Sequence, residues 1–345
     1  MSRVILIGFG VGVVALGLAA LLGGAGTDLA RSGLAAWLVV MALPLGALPV
    51  LMLLELAGLD AMPGTAALRG LLAILPLAAL LGAVGLGYEA FAPGQGFAAL
   101  YGWSDVSGGF AARWFTPGWF GARTILYLVI WVSLAVVFMT PAARPWARRR
   151  MIAAWGLALH LVIGTLAAID WTLSLDLGPN ASVFGLLLMT LQCAFALTVA
   201  LLVAAGGSTR PLRLMTLTAV ATAAFLQFEQ YLVVWSANLP REIVWYQHRL
   251  GGLGSVLFIA APIILIVAGV VLVPTGLAAR RWPLLAAAGL LALLEIADLL
   301  LLVTPAWRGT FSVSALDLLA LIGVAGVLGA GALLISRRVP EARHG

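Results

Sequence analysis

Ten apolar runs, each close to the length needed to cross a bilayer, limit what this chain can fold into before any single residue is considered. A helix needs about 20 mostly apolar residues to span the hydrocarbon layer. Such runs cover residues 4–22, 34–58, 66–87, 124–140, 152–169, 182–206, 214–236, 252–274, 283–303 and 314–335. Lipid offers no hydrogen-bond partners, so each run must satisfy its own backbone, and a helix does that. The expectation is an all-α polytopic membrane protein with a single integral membrane domain over residues 1–345. Only 9% of residues are charged, against about 25% in a soluble domain. No polar stretch is long enough to fold as a second, soluble domain. The first run is longer than the apolar core of a signal peptide and no convincing cleavage site follows it, so it is read as a span.

Arginine placement orients the spans. The chain has no lysine, and its arginines are dispersed among the loops. The net charge of +6 therefore suits cytoplasmic loops rather than nucleic-acid binding. With a cytoplasmic N-terminus, thirteen arginines fall on the cytoplasmic side and six on the other: Arg31, Arg113, Arg123, Arg241, Arg249 and Arg308. The positive-inside rule then puts both termini inside, in agreement with an even number of spans. The expected location is a bacterial inner membrane.

The polar residues inside these runs are few. The stretch QFEQYLVVWSANLPREIVWYQHR (227–249) begins within a span and ends outside it. Gln227 and Gln230 share a helix face with Tyr231 and Asn238, whereas Glu229 points elsewhere on the wheel. Pro240 ends the helix near Asn238, and Trp235, Trp245 and Tyr246 bracket the break as interfacial aromatics do. Gln227, Gln230, Tyr231, Trp235 and Asn238 are therefore candidates for the wall of a quinone or other polar site. The plainer reading is a helix end anchored by aromatics. Polar side chains at membrane depth are costly and usually face a bundle interior. His160 lies near the middle of the fifth run, which ends at Asp170-Trp171. Asp170 and Asp176 read either as solvated helix-end groups or as functional acids, with Asp176 or Asn180 capping the sixth helix. Glu295 and Asp298 lie three apart on one face of the ninth run, which contains no arginine. Two acids that close can share a proton. Asp170, Glu229, Glu295 and Asp298 are the proton-transfer candidates, with His160 and Gln230 as polar support. Asp317 stands near the outer end of the tenth run, and Glu55 and Asp60 near the inner end of the second.

Other features read as packing. Glycines such as Gly8, Gly12, Gly82, Gly85 and Gly87 suit close helix contact. Pro44 and Pro49 suggest a kink in the second helix. The connection over 88–123 carries Trp103, Trp114 and Trp119, as expected of a segment lying in the interface with a short helix, or of a docking surface for a partner. The single cysteine, Cys193, excludes an intrachain disulfide and a cysteine-ligated iron–sulfur cluster. A bis-histidine haem needs two intramembrane histidines, and His248 and His344 lie in a loop and the tail. There is no phosphate-binding loop and no HExxH-type metal motif. No metal or other cofactor is expected on this chain alone.

Two segments together resemble one family. AIDWTLSLD (168–176) followed by SVFG (182–185), and QFEQYLVVWSANLPREIVWYQHR, are similar to motifs of one of the integral membrane subunits of bacterial alternative complex III. That family belongs to the polysulfide-reductase-type membrane subunits. The matching motif positions are Asp170, Trp171, Asp176, Asn238, Pro240 and Glu242. The sequence departs from the motifs at Leu177-Gly178-Pro179, where the family continues Pro-His-Trp, and at Arg241, where it has an acid. The resemblance implies ten helices built around two four-helix bundles plus two peripheral helices. It also implies a quinol-oxidising complex that passes electrons to cytochrome c or to a terminal oxidase. The chain would contribute quinone contact, proton conduction or both. Its partners would be a sister quinol-binding membrane subunit and iron–sulfur and cytochrome c subunits, which carry the haem and iron–sulfur centres. It would not be catalytic alone. The alternatives are a secondary transporter or a structural membrane anchor.

The arginine split yields a topology test. A reporter fused after Arg150 is expected to behave as cytoplasmic and one inserted near Asn180 as external; the reverse labelling would overturn the orientation.

Overall fold

The computed structural model describes residues 3–24, 26–91, 96–103, 108–139, 146–176, 183–204, 210–273, 275–278 and 280–336. Among the described residues, ten helices are long and apolar enough to cross a membrane. They are α1 (Arg3–Gly23), α2 (Thr27–Ala57), α3 (Thr65–Glu89), α4 (Pro117–Met139), α5 (Trp146–Trp171), α6 (Phe184–Val203), α7 (Arg210–Ala237), α8 (Leu253–Leu272), α9 (Arg281–Val303) and α10 (Ala315–Ser336). A turn at Ala73 interrupts α3. The chain is an all-α polytopic membrane protein. Because the spans are even in number, α1 begins and α10 ends on one face, called here the terminal face; the other is the far face.

Helices α2–α5 close into one four-helix bundle and α6–α9 into a second. Both bundles are traversed in the same order, each starting from the far face. They meet chiefly where α2 and α5 pack on α6. Helices α1 and α10 form a peripheral pair, which α10 attaches to α2. Helix α2 is thus central and the most buried of the ten. It runs unbroken through Pro44 and Pro49, since neighbouring helices can satisfy the carbonyls a proline frees.

Several helices extend beyond their apolar runs. Helix α2 starts at Thr27 rather than 34, because its first turns carry Asp28, Arg31 and Ser32, which hydropathy discounts. Helix α4 starts at Pro117, a residue suited to the first helical position. Helix α5 takes in Arg148–Arg150, and Arg149 and Arg150 bond to the end of α2. Between α3 and α4 a short helix spans Gly109–Trp114. Trp119 is exposed as an interfacial ring should be, but Trp103 is buried, stacked 4.6 Å from Tyr101 and edge-on to Phe120 at 4.7 Å. The expected cap on α6 is not formed by Asp176: Val183 is the N-cap residue and no side chain caps it. Asn180 lies outside the described residues.

Close packing depends on glycine at several helix crossings among the described residues, including the α1–α10 and α2–α6 crossings. A Cβ at Gly12 of α1 would lie 2.8 Å from Val327 N and 3.0 Å from Gly323 O of α10. One at Gly46 of α2 would overlap the Gln192 carbonyl of α6. Small residues let helix backbones approach in this way where lipid supplies no hydrophobic drive. Gly82 and Gly85 lie against Trp37 and Phe97, whereas Gly87 faces open space. Gly12→Val is expected to destabilise the protein by about 1–3 kcal/mol through overpacking, while Gly10→Val, at a position with open space, is expected to be silent. Thermal unfolding of the two variants in one detergent checks this; equal midpoints would contradict the α1–α10 crossing.

Candidate functional site

Two kinds of acid stand out among the described residues. Asp170, Glu55, Asp317 and Asp176, near helix ends, are held by arginine. Asp170, at the far end of α5, is fully buried (0% exposed) and receives four donors. Arg123 of α4 donates Nε to Oδ2 and Nη2 to Oδ1, both at 2.8 Å; Trp114 Nε1 and Tyr127 Oη each donate at 3.0 Å. Glu55 accepts from Arg149 Nε at 2.7 Å on the terminal face. Asp317 accepts from Arg308 at 2.7 and 2.9 Å and from Ser32 of α2 at 2.6 Å. Asp176 accepts from Arg249 Nη1 at 3.1 Å.

Arg249 joins the two bundles. It lies in a short far-face helix, Pro240–Leu250, between α7 and α8. Besides Asp176, which follows α5, it donates to Trp245 O and to Leu302 O near the end of α9, both at 3.0 Å. Its guanidinium stacks 3.6 Å from the centre of the Trp245 ring. Burial pulls its pKa down to about 10, opposed by the Asp176 charge, so it remains a cation near neutrality. Nearby, Tyr101 donates its hydroxyl to Trp171 O at 2.9 Å; burial and the Asp170 charge push that hydroxyl's pKa up. Trp171 donates to Thr124 Oγ1 at 3.0 Å and packs edge-on against Trp37 and Trp131.

The second kind of acid lies in the core of the α6–α9 bundle. Glu295 (2% exposed) and Asp298 of α9 are both buried, and among the described residues no arginine lies within ion-pair distance of either. Their partners are neutral. Thr198 Oγ1 of α6 donates to Glu295 Oε1 at 2.9 Å, and Gln227 Nε2 of α7 donates to Asp298 Oδ2 at 3.2 Å. Glu295 Oε2 and the Oε1 of buried Gln230 have no hydrogen-bond partner among the described residues. One helical turn outward from Asp298, Leu302 lines a cavity of about 20 Å³ with Trp171, Thr172, Leu188 and Gln192. That volume accommodates a water rather than an aromatic ring.

The other expected positions divide. Gln227 and Gln230 face inward, but Trp235 and Asn238 are exposed, so the wall expected over 227–238 does not form as one surface. Tyr231 meets Tyr246 and Phe258 instead. Asn238 has φ +50, a left-handed backbone that asparagine tolerates better than most side chains. Leu239 is extended, and Pro240 opens the short helix with Glu242 in its first turn. The Asn-Leu-Pro sequence is thus a helix stop followed by a helix start. His160 is buried and accepts from Trp131 Nε1 through Nδ1 at 3.1 Å, and its Nε2 has no partner among the described residues. Glu229 lies on the opposite face of α7 from Gln227. The motif departures at Leu177-Gly178-Pro179 lie outside the described residues. Sequence reasoning did not single out Thr198, Gln192, Tyr127 or Arg123; threonine and glutamine are too common in membrane helices to be signals, and arginine pairing across helices needs the fold.

Among the described residues, no group of three or more His, Cys, Asp or Glu side chains is placed to hold a metal. The chain matches no protein-family model, and no curated protein matches it.

The two kinds of acid are expected to respond differently to neutralisation. Asp170→Asn leaves Arg123, whose side chain is 12% exposed, without its counter-charge and is expected to cost up to about 3–5 kcal/mol. Asp298→Asn removes no cation's partner and is expected to cost clearly less. Unfolding midpoints compare the two; equal losses would contradict the distinction.

Proposed function

We propose that this chain is a membrane subunit of a quinol-oxidising respiratory complex and that it contributes a proton-exchanging site in the α6–α9 bundle. The observation that carries the reading is the Glu295–Asp298 pair, buried with neutral donors only. Amide and hydroxyl donors tolerate either protonation state of a carboxyl, whereas guanidinium partners favour the anion. Intramembrane acids without a cation are typical of proton relays. The water-sized cavity lined by Leu302, one turn from Asp298, supports a proton path from the bundle junction in this reading. Asp170 and Asp176, with their arginines, serve as structural anchors in this reading.

The resemblance over Ala168–Arg249 supports the quinol-oxidising assembly, with haem and iron–sulfur centres on partner subunits. The cavity beside Leu302 is of water size, so in this reading it serves proton conduction, and quinone contact falls elsewhere on this chain or on a sister subunit. The thirteen-to-six arginine split supports a bacterial inner membrane with both termini cytoplasmic.

The double variant Glu295→Gln/Asp298→Asn keeps side-chain size and removes titration. The complex is expected to assemble normally but to lose proton-coupled turnover, or to lose proton movement while electron flow persists. Full turnover with unchanged proton stoichiometry would reduce both residues to packing.

A further inference from the structure

Arg213, in the first turn of α7 on the terminal face, is a buried cation without a counter-charge among the described residues. It is 5% exposed. Arginine keeps its charge in proteins and carries five N–H donors. One, on Nη1, goes to Leu272 O at the end of α8 at 2.8 Å. Its Nε is enclosed and has no hydrogen-bond partner among the described residues. No carboxylate among them lies within ion-pair distance of it. That includes Asp60, on the α2–α3 turn that meets Leu212 at Gly64. The two other buried arginines among the described residues, Arg149 and Arg249, each hold an acid. The sequence offers Arg213 none nearby: residues 204–228 and 243–294 contain no Asp or Glu. They do contain Arg210, Arg280 and Arg281, which are exposed at the starts of α7 and α9 on the same face.

We propose that the terminal-face ends of α7, α8 and α9 form a binding site for the phosphate of an anionic phospholipid, with Arg213 as its innermost ligand. A charge in or near hydrocarbon is costly unless it is paired. Phosphate oxygens accept guanidinium donors in charge-assisted hydrogen bonds, and basic pockets between membrane helices bind acidic lipid head groups in this way. Position favours a lipid over a free phosphate. The site lies at the membrane boundary, where α7 starts and α8 ends. Helix α8 is the least buried of the ten spans, and Val270, Val273 and Trp282 near these helix ends are exposed. Acyl chains therefore have apolar surface to follow away from the head group. Four arginines without an acid among them select a head group of net negative charge. The inference goes beyond the proposed function and needs neither quinol nor proton chemistry.

Native mass spectrometry of the full-length chain, delipidated in mild detergent and titrated with phosphatidylglycerol or phosphatidylcholine, tests it. The first phosphatidylglycerol is expected to bind about tenfold more tightly than phosphatidylcholine, the size of one hydrogen bond to a charged group. Arg213→Gln is expected to abolish that preference and Arg213→Lys to retain it, with thermal unfolding showing that each variant is folded. Should Arg213→Gln not fold, Arg280→Gln/Arg281→Gln, at exposed positions, is expected to weaken the preference. The Glu295→Gln/Asp298→Asn variant is expected to leave it intact, which separates this site from the proton site. Equal affinity for the two lipids in the wild type would overturn the proposal. So would a preference that survives Arg213→Gln or, where that chain does not fold, the Arg280→Gln/Arg281→Gln variant. Glu341 follows α10 and lies outside the described residues; a preference that appears only in Glu341→Gln would make that acid the counter-charge and overturn the proposal too. Inorganic phosphate that displaces phosphatidylglycerol at equal concentration would show a soluble anion as the occupant and overturn the lipid assignment.

Discussion

Buried charge is the constraint on which this structure depends. A charge in or near hydrocarbon is costly unless it is paired, and four of the five ion pairs among the described residues join different segments. Arg149 ties α5 to Glu55 of α2, and Arg123 ties α4 to Asp170 of α5. Arg308 ties the α9–α10 connection to Asp317, which also receives Ser32 of α2. Arg249 reaches Asp176 and the end of α9, and so crosses between the bundles. Removing either member of such a pair strands the other, so these bonds specify which helix ends meet more than they add net stability.

Between the ends, helices approach through shape. Gly46 brings α2 onto α6 at the bundle junction, and Gly12 brings α1 onto α10. Because apolar side chains are as comfortable in lipid as in protein, this close contact, rather than hydrophobic burial, distinguishes one helix neighbour from another. Helix α2 carries most of that contact, which is why it tolerates two prolines and still runs its whole length.

Pairing at the ends sets apart the acids that are not paired. Glu295 and Asp298 face neutral donors in the α6–α9 core. Gln227 and Glu229, two residues apart, point to different surroundings because a helix turns about 100° per residue. A single polar stretch in the sequence therefore contributes to two distinct surfaces.

The sequence alone determined the class, the ten spans and the locations of the intramembrane polar residues, because apolar run length and the cost of polar groups in lipid act locally. The same local rules marked Asn238-Leu239-Pro240 as a helix end and Glu295 and Asp298 as neighbours on one face. Helix ends were less legible: α2 and α4 begin seven residues before their apolar runs, where polar or glycine-rich turns conceal the helix. Partnership was not legible at all. Asp170, read as a possible proton carrier, and Asp298 look alike in the sequence, each an aspartate in the outer part of a span. Only the tertiary structure gave one a guanidinium from α4 and the other an amide from α7. Charge pairing across helices depends on which faces meet, and that is decided by packing of distant segments rather than by spacing along the chain.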